Sequence, residues 1–320
     1  MIAIVCSCRP CMGLKPSVSG YAVVESASEQ TFIVTRRSIL VANLISASSA
    51  PIAGFGDKEY YDLVGTIQVM SRIFRESVVD GFELQLEPEW DAENPPLTDA
   101  DWADWTKTPK YAAEEIVGLL RKEGLPILSV HASRDVGNYL CSERERDREK
   151  GKRIIDDSLS IAESLGAEVC VFHLWDTWKT DFNMHRVEKS FLEVTNQFSR
   201  VKASVENIPT HLKGCTPFGL VKSFDYVTLD LRWAALYDEL DAFEPIIGNV
   251  VNVHLRGCLK EDRWFMERSK FGFYEALDRI RNTWKYAGLL TLEPEGKIEG
   301  LSFESFLKAT RSLRKRGSSK

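Results

Sequence analysis

Seven side chains able to bind a cation or move a proton recur at the ends of short apolar runs. They are Glu83 in FELQL, His131 in SVHAS, His173 in VFHLW, Glu206 in SVENIP, Asp230 in TLDLRW, His254 in NVHLRG and Glu293 in LEPEG. Packing alone would favour Val, Ile or Leu at such positions, and three of the chain's five histidines are among the seven. Taken singly, each reads as well as a capped strand end or a hydrogen-bonded core histidine. Gathered at one place, carboxylates and imidazoles repel and desolvate one another unless a cation neutralises them. Glu206, Asp230, His254 and Glu293 offer three hard oxygens and one nitrogen, a set suited to Mn²⁺ first, and also to Mg²⁺ or Co²⁺. Adding His131 and His173 tilts the preference toward Zn²⁺ or Fe²⁺, or admits a second ion bridged by Glu206.

The elements that must position these groups alternate regularly. Apolar or β-branched runs predict strands at Ile39 to Ile45, Gly81 to Leu86, Ile127 to His131, Val169 to Leu174, Lys202 to Glu206, Tyr226 to Asp230, Val250 to Leu255 and Leu289 to Glu293. Between them, patterns of period 3.6 predict helices at Glu59 to Ser77, Tyr111 to Glu123, Arg146 to Leu165, Met184 to Arg200 and Phe271 to Lys285, with a closing helix at Phe303 to Arg314. Gly81, Gly124, Gly166 and Gly288 fall where helix C-caps are expected. Eight strand–helix units demand a parallel sheet, and at this size they close into a (β/α)₈ TIM barrel. A doubly wound sheet is the alternative, but no G-x-G-x-x-G follows the first strand. The expected organisation is one barrel domain over residues 38–316, an extension at 1–37 and a tail at 317–320. Barrel sites sit at the C-terminal ends of strands, which is where the seven polar groups fall.

Composition narrows the function. With 41 Lys+Arg against 47 Asp+Glu, the net charge of −6 disfavours a nucleic-acid partner. No apolar run approaches the roughly 20 residues that span a bilayer, so no membrane role is expected. Seven cysteines without framework spacing point to reduced thiols and a cytoplasmic setting. Two N-terminal signals compete with that setting. Cys6, Cys8 and Cys11 form a weak soft-ligand cluster, and Thr35-Arg36-Arg37-Ser38 before an apolar stretch resembles a twin-arginine export signal. The need for Ile39 to Ile45 as a strand argues against cleavage there.

The strand-end motifs together resemble the xylose isomerase-like TIM-barrel superfamily, over roughly residues 38 to 315. They are the E-N-x-P of Glu206, Asn207 and Pro209, the L-D at Asp230, the V-H-L-R at His254 and the L-E at Glu293. The resemblance implies a divalent metal on Glu206, Asp230, His254 and Glu293, with His131 and His173 matching two histidines that hold a further ion in the apurinic-endonuclease branch. It also implies a sugar or sugar-phosphate isomerase or epimerase, in which Glu206 and Glu293 pass a proton to and from carbon next to a carbonyl. Glu83, Trp175, Trp233 and Arg256 are then candidate substrate contacts, and a homo-oligomer is allowed. Three departures are visible. Trp233 stands where relatives carry His, Leu212 where ketose 3-epimerases carry a second Glu, and Glu261-Asp262-Arg263-Trp264 lacks the His of a third metal site. A metal-dependent hydrolase or lyase on the same scaffold, and a non-catalytic binding barrel, are the competing readings.

Overall fold

The computed structural model describes residues 43–267, 269–295 and 302–318, together with the dipeptides Val24–Glu25 and Thr31–Phe32. The chain divides into two units, Met1–Val41 and Ala42–Lys320. In the first, the two dipeptides pair antiparallel. The cysteine cluster and the twin-arginine motif lie outside the described residues.

The second unit is a closed parallel barrel, the (β/α)₈ architecture anticipated from the alternation. Its strands are β1 (Ile45–Ser48), β2 (Gly81–Gln85), β3 (Ile127–His131), β4 (Val169–Phe172), β5 (Lys202–Glu206), β6 (Val227–Asp230), β7 (Val250–Lys260) and β8 (Leu289–Glu295). Each pairs parallel with the next, β8 pairs with β1, and the ring closes without a free edge. A helix follows each strand: α1 (Leu63–Arg75), α2 (Ala113–Glu123), α3 (Glu145–Leu165), α4 (Met184–Thr195), α5 (Pro217–Val221), α6 (Leu231–Leu236), α7 (Phe273–Asp278) and α8 (Phe303–Ser318). Their apolar stripes, such as Ile155, Leu159 and Ala162 of α3, are fully buried against the sheet. The Asp62 carboxylate accepts from the Gly65 amide to start α1.

Three expectations need correction. The first strand begins at Ile45, six residues later than the predicted start; residues 39–42 lie outside the described part and Asn43 and Leu44 are not in a strand. Strand β1 is written largely in small residues, because Ser46 faces inward and shares a 2.7 Å hydroxyl contact with Thr291. It lies within the apolar stretch that follows the twin-arginine motif, so removal of that stretch would remove a barrel strand. Of the four glycines, only Gly124 and Gly166 are left-handed C-caps, with φ of 64° and 75°. Gly81 opens β2, where a Cβ would stand 2.7 Å from the Pro126 carbonyl oxygen, so close packing accounts for it. Helix α8 also runs on to Ser318, into the segment expected to be a tail.

Strand β7 outlasts its predicted end by five residues and folds back through a short antiparallel strand, Arg263–Phe265. Trp264 anchors that return by stacking on Phe273, with ring centroids 5.7 Å apart, and by meeting Phe306 of α8 edge-on. Strand register decides which groups become neighbours at the mouth of the barrel. His254 lies opposite Asp230 on one side and Thr291 on the other, and Arg256 lies opposite Glu293.

Candidate metal centre

Strand ends β2, β3 and β5 to β8, together with His173 just past β4, carry the predicted polar groups, and closure of the ring brings them together. Donor atoms of Glu206, Asp230 and His254 all lie within 4.8 Å of one another, as do those of Glu83, His254 and Glu293, and those of His131, His173 and Glu206. The Oε2 atom of Glu206 is the hub. His173 Nε2 stands 3.0 Å from it, His131 Nε2 3.2 Å and His254 Nδ1 3.4 Å. His254 Nδ1 is also 3.6 Å from Glu293 Oε1.

The second nitrogen of two of these imidazoles is already committed. His131 Nδ1 is 2.9 Å from the Ala132 carbonyl oxygen, and His254 Nε2 is 3.2 Å from Glu83 Oε2. Both partners are acceptors, so those nitrogens donate and fix the tautomer. In the neutral ring the opposite nitrogen then turns a lone pair toward Glu206. A lone pair against a carboxylate needs a proton or a cation between them. Among buried atoms left without a hydrogen-bond partner are Glu206 Oε1, Asp230 Oδ2 and His254 Nδ1, three of the donor atoms a divalent ion would use.

Without an ion, protons take up the imbalance. Burial opposes charge on His254, but the carboxylates of Glu83, Glu293 and Glu206 hold its pKa well above the usual imidazole range. For His131, burial is likewise outweighed by the hydrogen bond and charge of Glu206, which lift it to about 9. Burial would raise Glu206, yet the His173 and His254 charges and the His131 and His173 hydrogen bonds keep it well below the ordinary carboxylate value. Asp230 is pushed up to about 7 by burial, with Arg256 opposing and the like charges of Glu206 and Glu293 adding to the rise. Such a set, acids crowded around shared imidazoles, is what a hard divalent cation would relieve.

The loops and small polar residues beneath hold the set in place. Asn207 donates to the Asp230 carbonyl oxygen at 3.2 Å and accepts from the Asp230 amide at 2.6 Å, tying the end of β5 to the end of β6. Asp230 also caps α6, its Oδ1 accepting from the Trp233 amide at 2.9 Å. Below His254, Glu83 Oε2 accepts from Ser129 at 2.8 Å and Asn252 at 3.1 Å, and Asn252 in turn accepts from Thr291.

The four candidate substrate contacts part company. Glu83 has no exposed surface and sits under His254, away from the mouth. Trp175 is also buried, and its indole N–H donates to the Pro209 carbonyl at 2.9 Å. Trp90 is spent in the same way on Tyr61. Arg256 and Trp233 stay at the opening. The guanidinium lies 5.1 Å from the Trp233 ring centre, and its Nη1 is 3.6 Å from both Asp230 Oδ2 and Glu293 Oε2. Not read from the sequence was a second buried cluster in which Arg134 bridges Glu87 and Glu89 at 2.9 and 2.7 Å while Tyr60 donates to Glu89. The spacing of Glu83, Glu87 and Glu89 around the end of β2 was the available signal.

Comparison with known proteins identifies the fold. A family model described as a xylose isomerase-like TIM barrel matches residues 75–311. Curated proteins give no match. Among solved structures, a sugar phosphate isomerase/epimerase from Parabacteroides distasonis superposes with a TM-score of 0.56 at 15% identity, covering 88% of this chain and 96% of that one. An L-ribulose 3-epimerase gives 0.59 at 13% identity, with 86% and 94% covered. Endonuclease IV from Thermus thermophilus gives 0.50 at 18% identity, with 85% and 99% covered. At these identities the likeness is one of fold.

Proposed function

This chain belongs to the xylose isomerase-like TIM-barrel family, and from that premise we propose that it is a metal-dependent sugar isomerase or epimerase. The observation that carries the reading is the pair of tautomer-fixed imidazoles, His131 and His254, whose remaining nitrogens face the carboxylate of Glu206. Glu206, Asp230, His254 and Glu293 would hold the ion, with Mn²⁺ the best match to three oxygens and one nitrogen. When bound, the ion polarises the carbonyl of an α-hydroxycarbonyl substrate and lowers the barrier to removing a proton from the adjacent carbon.

The chain's own residues do the rest. Glu206 and Glu293 reach the centre from different strands, so one removes the proton and the other returns it. Return to the opposite face of the same carbon is epimerisation, and return to the neighbouring carbon is isomerisation. Arg256, held over Trp233, presents donors at the mouth to a substrate hydroxyl, and the indole offers an apolar face to the sugar's C–H groups. Structural neighbours described as sugar epimerases support a carbohydrate substrate. Glu83 and Trp175, expected as substrate contacts, fit positioning roles instead, because neither reaches the opening.

Solvent deuterium should enter a substrate C–H position in the presence of Mn²⁺, measured by mass spectrometry across a panel of ketoses. Glu206→Gln should abolish that exchange with the far-ultraviolet spectrum unchanged. Full exchange in the variant would remove Glu206 from the reaction. The His131, His173 and Glu206 group favours a second reading, a two-ion hydrolase. Two ions per chain by elemental analysis, with cleavage of abasic DNA and no exchange, would select it.

A further inference from the structure

A cavity of about 660 Å³ lies beside the barrel mouth, between the loops that follow β2 and β3 and the helices α2 and α3. None of the proposed metal ligands lines it. Its walls are acidic: Glu87, Asp91, Glu93, Asp135 and Asp157 face only two bases, Lys110 and Arg153. The Lys110 ammonium is already spent on the carbonyl oxygens of Glu89, Thr108 and Trp105.

Two wall residues lack the donors their burial demands. Glu87 is 4% exposed; its Oε2 accepts from Arg134, while its Oε1 is buried with no hydrogen-bond partner. Asn94 donates through Nδ2 to Asp91, but its Oδ1 is buried and unpartnered too. Both orphaned atoms are acceptors, so the missing group is a donor. An anion is excluded by the sign of the wall. A neutral polyol would supply donors but leave the negative field unanswered, whereas an ammonium group supplies three donors and the opposite charge. The rings of Trp90 and Tyr111, meeting edge to face at 6.4 Å, offer apolar wall for a methylene chain.

We propose that this cavity is a second ligand site, separate from the metal centre, which takes a short di- or polyamine whose ammonium groups donate to Glu87 Oε1 and Asn94 Oδ1. The volume falls within the range of small-molecule sites. Burial pushes the Glu87 carboxyl up to about 8, with Arg134 and His131 opposing and Glu89 adding, so the ammonium must displace a proton before Oε1 can accept from it.

Isothermal titration calorimetry of the full chain tests this without any activity assay. Spermidine should bind saturably at one site per chain, and putrescine more weakly. Glucose should give no saturable heat. Glu87→Gln and Asp157→Asn should each weaken spermidine at least tenfold. Asp157 makes the second variant decisive if the first fails to fold. Absence of saturable spermidine binding, unchanged affinity in the folded variants, or equal binding of glucose would each overturn the proposal.

Discussion

Glu206 Oε2 gathers three imidazole nitrogens and Glu83 Oε2 only one, and the two carboxylates flank His254 from opposite sides. Glu83 therefore acts through its neighbour: by accepting from His254 Nε2 it leaves Nδ1 as the atom able to bind an ion. Glu83→Gln should keep the Ser129 and Asn252 contacts but weaken Mn²⁺ binding about 10- to 100-fold, with exchange restored at saturating Mn²⁺. A metal titration followed by tryptophan fluorescence checks this, and unchanged affinity would deny Glu83 the role. At this scale the sequence was informative about residue type and silent about depth. All seven polar strand-end groups could be picked out, since a charged residue ending an apolar run stands out. Nothing in FELQL said that Glu83 would face down into the barrel, nor in HLW that the Trp175 indole would be used up by Pro209.

Asp230 links the site to an element, because the same carboxylate starts α6 with one oxygen and leaves the other toward Glu206 and Arg256. The two roles separate by substitution. Asn caps a helix nearly as well as Asp, whereas Ala costs about 1 kcal/mol. Asp230→Asn should hold the melting temperature and lose metal affinity, while Asp230→Ala should lower both; thermal denaturation with and without Mn²⁺ distinguishes them. Equal melting temperatures for the two variants would mean that the cap contributes nothing. The elements themselves were largely legible. Strands β3 and β5 agree with the predicted residues, because both are short runs with a sharp polar end. Strand β1 was misplaced because Ile39 to Ala53 is apolar or small apart from Asn43, giving little contrast from which to read a start. The helix Asp99–Lys107 gave no clear signal, being a weakly amphipathic insertion in the β2–α2 loop.

For the whole molecule, an ion bound only by the closed ring stabilises folding by mass action. At a concentration about 100 times its dissociation constant it adds about 2.7 kcal/mol. Mn²⁺ should accordingly raise the melting temperature by several degrees, and a chelator should reverse the rise in calorimetry; no change in either direction would argue against an ion at the centre. No described helix is long and apolar enough to cross a membrane, and the net charge of −6 sits easily with small-molecule chemistry. The pairing of His254 with Asp230 and Thr291 carries a last implication. Two of the proposed ligands face each other across the hydrogen-bond ladder of β6 and β7, so their separation is inherited from the spacing of a sheet and cannot widen without unzipping it. Slipping either strand by one residue would turn its ligand into the outer wall. An ion held there would be selected by radius through the strand pairing, and substitutions that loosen those pairs should blur that selection before they unfold the chain.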